Sequence, residues 1–184
     1  CSSDLGCIVE RHLTFYTEAS EGELLPAPNP ASPTPEQSPG CVVDAIDSVA
    51  NKCRLIVRCH AQRIPLICCG GAGGRRDPTR IRIEDLSRVT HDRLLAEVRK
   101  RLRRDHGFPR DGRKMGIPCV FSDEPPVFPQ VDGTVCTART AQPGQELRLN
   151  CEAGLGSATF VTGAFGFAAA AWVAGRLADG WGVS

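Results

Sequence analysis

The run Cys41-Val-Val-Asp-Ala-Ile-Asp-Ser, the stretch that follows it to Arg63, and Ile64-Pro-Leu-Ile-Cys-Cys with Gly70-Gly-Ala-Gly-Gly behind it decide the fold. The first apolar run is short and closes on Asp44 and Asp47, which reads as a buried strand with both acids at or just beyond its carboxyl end. Ser48 to Arg63 carries Val49, Cys53, Leu55, Ile56 and Cys59 without an internal Pro or Gly. That pattern predicts a helix, with Asp47 or Ser48 supplying the oxygen that caps its first free N–H groups. The second apolar run predicts another strand, closed by the glycines. Strand, helix and strand in so short a span make a βαβ unit. A parallel sheet with a right-handed crossover follows, and the fold class is α/β.

Downstream, Ile81-Arg-Ile-Glu-Asp-Leu alternates and predicts a further strand. Thr90 to Arg104 predicts an amphipathic helix, with Leu94, Leu95, Val98 and Leu102 on one stripe. Arg93, Arg99, Lys100, Arg101, Arg103 and Arg104 crowd its other faces; Gly107 ends it and Pro109 prevents continuation. Residues 115–151 read as loops and short strands, with Ile117–Phe121 and Val131–Thr137 the best strand candidates. Ser157 to Ala178 carries no charge before Arg176 and approaches the length of a membrane span. Its Ala, Gly and Thr contribute little transfer energy, so a buried helix packed closely by its small residues is expected, with membrane contact through 157–178 as the alternative. Upstream, Cys7-Ile-Val and Leu13-Thr-Phe-Tyr read as a strand end and its exit loop. Between Glu21 and Gly40 lie Pro26, Pro28, Pro30, Pro33, Pro35 and Pro39, the signature of an insert or linker.

The 184 residues carry 22 basic and 21 acidic side chains, for a formal net charge of +1. This average conceals a segregation: Lys52 to Lys114 holds 18 basic and 7 acidic residues, a balance of +11, and the remainder of the chain a balance of −10. Potentials depend on where charges sit, so the basic middle points to a polyanionic partner, a solvated helix face being the plainer explanation. Ten cysteines without a single C-x-x-C give no paired zinc knuckles, and several lie inside apolar runs as small hydrophobes. No basic start followed by an apolar core opens the chain, so a reducing, intracellular compartment is expected, cytoplasmic or organellar. Met115 is the only methionine and the chain begins at Cys1, so it is expected to be a piece of a longer protein.

Asp44 and Asp47 sit where open α/β sheets bind ligands, outside the carboxyl ends of the strands. Asp47 is a candidate for a hydrated magnesium ion, which takes one or two carboxylates plus phosphate oxygens, a plain helix cap being the alternative. Lys52, one turn into the helix from Ser48, is placed to face the same ligand. The loop Gly70–Gly74 lacks the Lys and Ser/Thr of a P-loop and does not match G-x-G-x-x-G, so it reads as a tight strand exit, with direct phosphate contact as the alternative.

The run Val43-Asp-Ala-Ile-Asp-Ser-Val, Lys52, Ile64-Pro-Leu-Ile, Gly70-Gly-Ala-Gly-Gly and Asp77-Pro-Thr resembles the tRNA threonylcarbamoyladenosine dehydratases of the ThiF/MoeB-like, ubiquitin-activating superfamily. The resemblance continues through Asp92, Leu94 and the Arg-rich helix to Gly116, Cys119-Val-Phe-Ser, Pro129, Asp132-Gly-Thr-Val, Gly156-Ser-Ala-Thr, Gly163, Phe165 and Gly166. It implies a Rossmann-like, ThiF-type fold whose N-terminal nucleotide-loop half is missing. Residues 1–25 would be the end of that half, 26–40 an insert, and 41–184 the C-terminal part of the adenylating domain with its β/α extension. It implies ATP and Mg2+ as cofactors, and adenylation of the threonylcarbamoyladenosine carboxylate in tRNA followed by cyclisation with loss of AMP.

By the same resemblance Asp44, Asp47, Ser48 and Lys52 are the ATP-facing residues, Asp47 being the metal ligand. Arg99, Lys100, Arg103 and Arg104 would meet tRNA phosphates. Cys119 matches a family cysteine and is the one candidate nucleophile, a core thiol being the alternative. Superfamily relatives imply a homodimer and a sulfur-transfer partner protein. Two other functions stay open: an activator of a ubiquitin-like or sulfur-carrier protein, and an inactive tRNA-binding fragment.

Overall fold

In the computed structural model, which describes residues 10–26, 40–129, 134–136 and 156–179, the predicted βαβ unit forms. Strand β1 (Val42–Asp44) leads into helix α2 (Val49–Gln62) and strand β2 (Leu66–Cys69). The strands pair in parallel, with Val42 opposite Leu66 and Asp44 opposite Cys68. Ser48 and not Asp47 caps α2: its Oγ accepts from Asn51 N at 3.4 Å. The helix ends at Arg63, which takes the left-handed conformation (φ 57°) and returns its N–H to the Cys59 and His60 carbonyls.

Strand β3 (Ile81–Asp85) and helix α3 (Arg93–Asp105) precede strand β4 (Pro118–Ser122), yet β4 takes the inner position and the sheet order is β1-β2-β4-β3. β4 runs parallel to β2 and antiparallel to β3, with Ile81 opposite Ser122 and Asp85 opposite Pro118. The sequence explains the arrangement. β4 is apolar from Pro118 to Phe121 and is covered on both faces, whereas the alternating Arg82, Ile83 and Glu84 suit an exposed edge. The fold is thus mixed α/β with one open, mostly parallel sheet, as the sequence predicts.

Side chains alternate across the strands, so each face collects its own helices. Ile67 and Val120 meet Val161, Phe165 and Ala169 of α4 (Thr159–Ala178) on one face. Cys53, Leu55, Ile56 and Cys59 of α2 and Leu94, Leu95, Val98 and Leu102 of α3 are buried on the other. α3 begins three residues later than the sequence suggests, because the Asp92 carboxylate caps it through Leu95 N at 2.9 Å. It stops where Gly107 turns left-handed (φ 66°), letting Phe108 N reach back to Leu102 O.

Helix α4 departs from expectation. Only Val161, Phe165 and Ala169, spaced four apart, are buried, while Phe160 and Phe167 are 61% and 80% exposed. One sheet face covers one stripe of a helix and no more. Nor do Gly163, Gly166 and Gly175 provide close packing, since a Cβ at any of them would meet nothing within 4 Å. Burial of a side chain such as Phe165 stabilises by about 1.5–3 kcal/mol. The helix is long and apolar enough to cross a membrane by length and composition alone.

The chain divides into two units, Cys1–Pro39 and Gly40–Ser184. Leu13–Tyr16, read from the sequence as an exit loop, form no strand. Ser20 Oγ accepts from Thr17 N and donates to Phe15 O, which curls the chain into a turn before the short helix α1 (Glu21–Leu24). Strand β5 (Phe128–Pro129) pairs antiparallel with strand β6 (Val135–Cys136), the described part of the expected Val131–Thr137 strand. Cys7–Val9 and most of the Pro-rich segment lie outside the described residues.

Candidate functional site at the carboxyl edge of the sheet

β1, β2 and β4 run in one direction, so their carboxyl ends share an edge, and the crevice outside that edge is where open α/β sheets bind ligands. At the end of β1 the Asp44 carboxylate divides its oxygens. Oδ1 accepts from Ile46 N at 2.9 Å and bends the chain out of the strand, and Oδ2 meets Lys52 Nζ at 2.8 Å. Both side chains are fully buried. The sequence places Asp44 and Lys52 against the nucleotide; in the structure they face each other and have no free surface to offer a ligand. A buried pair of this kind gains its Coulomb energy in a low dielectric and loses hydration on both sides.

Asp47 and Ser48 remain exposed at the mouth. Because Ser48 performs the capping, Asp47, one residue before it, is free of that duty. Among the described residues no three of His, Cys, Asp and Glu gather into a metal cluster. A lone exposed carboxylate fits only a hydrated magnesium ion that draws its remaining ligands from phosphate and water.

Next to this mouth the glycine loop leaves β2. Gly70 N still donates to Val120 O at 2.8 Å, and Gly71 N donates to Asp92 Oδ2 at 2.8 Å. Asp92 is 5% exposed, and burial pushes its carboxyl pKa up against the pull of the Leu95 and Gly71 N–H groups and of Arg75. Arg75, 4% exposed, donates through Nη2 to His91 O, and burial lowers the pKa of its guanidinium. Beyond it, Glu124 Oε2 accepts from Arg76 N and Asp77 N at 2.9 and 3.0 Å and fixes the loop's exit. Burial alone would raise Glu124, but these bonds and the Arg76 charge outweigh it and leave its pKa lowered.

Cys119, the candidate nucleophile, is fully buried in β4 with its thiol directed at Ile117 O. Its register partner Cys68 is raised well above the ordinary thiol range by their mutual hydrogen bond and by burial, and burial lifts Cys53 to about 11. Buried in the sheet and aimed at a main-chain carbonyl, Cys119 packs as a core thiol, the plainer of its two readings.

The basic helix offers a separate charged surface, further along α3 from the end that meets the glycine loop. Arg99, Lys100, Arg103, Arg104 and Arg110 surround an open cavity of about 540 Å3, with Asp111 the one acid among its charged residues. Arg99 is braced on Leu86 O and Val89 O at 3.0 and 2.8 Å, and Arg103 on Pro109 O at 3.0 Å. Arg104 pairs with its exposed neighbour Asp105, and Lys100 with Glu97 at 3.9 Å. Carbonyl bracing holds guanidinium groups in place without neutralising them, which suits a row of phosphates. Arg110, Asp92 and Arg75 are contributions that the sequence reading did not assign. An Asp just ahead of an amphipathic run is a cap signal and points to Asp92; no local pattern marks the other two. A larger cavity of about 750 Å3 lies at the opposite, amino edge, between Arg63, Ile117 and Trp172.

No protein-family model matches the chain. It is 47% identical over 129 residues to the tRNA threonylcarbamoyladenosine dehydratase of Escherichia coli, covering 70% of this chain and 48% of that one. It is 44% identical over 137 residues to the Haemophilus influenzae dehydratase, covering 74% and 49%. The structure superposes with a TM-score of 0.61 and 34% identity on the E. coli tRNA N6-threonylcarbamoyladenosine dehydratase, TcdA, in complex with ATP, covering 84% of this chain and 50% of that one. The chain therefore spans about half the length of the curated relatives it matches. Over the stretch it shares with them, the chain is a homologue of the tRNA threonylcarbamoyladenosine dehydratases.

Proposed function

We propose that the chain forms part of an enzyme that uses ATP to dehydrate and cyclise threonylcarbamoyladenosine in tRNA. The observation that carries this reading is the 44–47% identity to dehydratases across a segment that includes both the carboxyl edge and the basic helix. A carboxylate is a poor electrophile until one of its oxygens can leave on phosphorus; ATP with Mg2+ would supply that activation, pyrophosphate leaving as the carboxylate takes up AMP, and AMP would then depart with that oxygen as the ring closes. Asp47 and Ser48 with the first N–H groups of α2 are the groups that would hold the nucleotide phosphates and the metal. Lys52 acts one layer deeper, fixing Asp44 so that the turn presenting Asp47 keeps its shape. Arg99, Lys100, Arg103, Arg104 and Arg110 dock the tRNA backbone along α3.

The exposed Phe160 and Phe167 on α4 suit contact with a second copy, and sedimentation of the full-length protein tests for the dimer. The seven free cysteines among the described residues fit a reducing, intracellular compartment. Nucleoside mass spectrometry on modified tRNA incubated with the full-length protein, ATP and Mg2+ tests the reaction. Loss of one water from threonylcarbamoyladenosine is the expected result, and an unchanged nucleoside refutes it. Asp47→Asn is expected to abolish the Mg2+-dependent product while leaving folding within about 0.5 kcal/mol, as for an exposed side chain.

A further inference from the structure

Asp92 performs two tasks with one carboxylate. Oδ1 caps the basic helix through Leu95 N at 2.9 Å, and Oδ2 holds the glycine loop through Gly71 N at 2.8 Å. The fit is tight. A Cβ built on Gly70 would lie 2.1 Å from Oδ2 and 2.9 Å from Leu95 Cδ1, so the carboxylate fills the room that Gly70 leaves. Gly70 is at the same time bonded into the sheet through Val120 O. A second tether runs alongside, from buried Arg75 to the carbonyl of His91, whose backbone is held left-handed at φ 56°.

We infer that Asp92 is a positioning residue for the proposed reaction: it fixes the glycine loop at the carboxyl edge relative to the start of the RNA-docking helix, and so sets the separation between bound RNA and bound nucleotide. This rests on the proposed function, because only a two-substrate site has such a separation to set. Misplacement by about 1 Å is enough to cost on the order of 100-fold in rate when reactants must meet in one geometry. A mere helix cap would matter for stability and not for turnover, and the two roles separate by chain length. Ser is as good a cap as Asp but too short to span both tasks.

The test uses the full-length protein with Asp92→Ser, Asp92→Asn and Gly70→Ala. Asp92→Ser is expected to keep its unfolding midpoint near wild type and its tRNA affinity within about twofold, since the cap and the arginines survive. It is expected to lose about tenfold or more in kcat with KM for tRNA little changed, and to exchange its Gly71 amide faster. Asp92→Asn, which still has one acceptor oxygen, is expected to fall between the two. Gly70→Ala leaves Asp92 in the chain but claims its space, and is expected to lower kcat in the same way if Asp92→Ser proves too unstable to assay. Full turnover in Asp92→Ser beside an active wild type overturns the inference alone, as does an unchanged Gly71 exchange rate. A wild type that never cyclises the nucleoside removes the proposed function, and the inference with it.

Discussion

Lys52 and Arg104 carry the same charge within one stretch of basic sequence, yet they belong to opposite physical regimes. Lys52 is sealed at the carboxyl edge, with Asp44 at 2.8 Å and no surface of its own. Arg104 lies on α3, 64% exposed, against an equally local partner in Asp105. At the edge charge is fixed and dry, so it holds backbone in place; on the helix it is hydrated and exchangeable, so it is available to an incoming polyanion. The +11 middle segment is therefore not one basic patch. Its charges include internal struts, namely Lys52 and Arg75, and a separate set around the α3 cavity.

The most severe challenge to this division is to remove a strut. Lys52→Met leaves the Asp44 carboxylate buried and unpaired, and is expected to cost about 3–5 kcal/mol in urea unfolding. Adding Asp44→Asn to Lys52→Met should restore much of that loss, because no uncompensated charge is then buried. A double variant as unstable as the single one would refute the strut. On the other side, Lys100→Glu with Arg104→Glu should leave unfolding within about 0.5 kcal/mol, as surface changes do. It should weaken tRNA binding by tenfold or more at low salt and reduce the salt slope by roughly one for each phosphate no longer neutralised. Equal binding at every salt concentration would return α3 to a solvated face.

Acid provides a milder probe. Glu124 has a lowered pKa in the folded state, so the unfolded chain takes up the proton first as pH falls. Its stabilisation is therefore present above the ordinary carboxylate value and lost as pH drops through the lowered folded value. Glu124→Gln is expected to cost about 1–3 kcal/mol at pH 7, the range for a hydrogen bond to a charged group, and to flatten the acid limb of a stability–pH profile. An identical acid limb in the variant would show that other carboxylates carry it. The smallest effect concerns thiols: brief alkylation at neutral pH should label exposed Cys136 and spare buried Cys68 and Cys119. Early labelling of Cys119 would reopen its candidacy as a nucleophile.

Much of this was legible in the chain, for identifiable reasons. Short apolar runs at Cys41–Val43 and Leu66–Cys69 with the Pro- and Gly-free span Ser48–Arg63 between them announce a βαβ unit, and the four-residue spacing of Leu94, Val98 and Leu102 announces an amphipathic helix. These are local signals, carried by periodicity. The position of β3 outside β4 was not legible, since strand order depends on pairings between distant residues. Nor was the shallow seating of α4, where composition reports apolarity without saying how much sheet is available to cover it.

The same division holds at the site. Residue type and spacing were enough for the fold class, the family resemblance, the aspartates at the strand's end and the arginines of α3. Which acid faces solvent and which is consumed internally emerged only in three dimensions. Asp44 and Asp47 are three residues apart in one short motif, and no spacing rule distinguishes them. Burial does: Asp44 points inward to Lys52 across the first turn of α2, while Ser48 relieves Asp47 of capping and leaves it in the open. The link from Asp92 to Gly71 likewise joins residues 21 apart in the chain. It exists only because β2 and the amino terminus of α3 arrive at the same edge of the sheet.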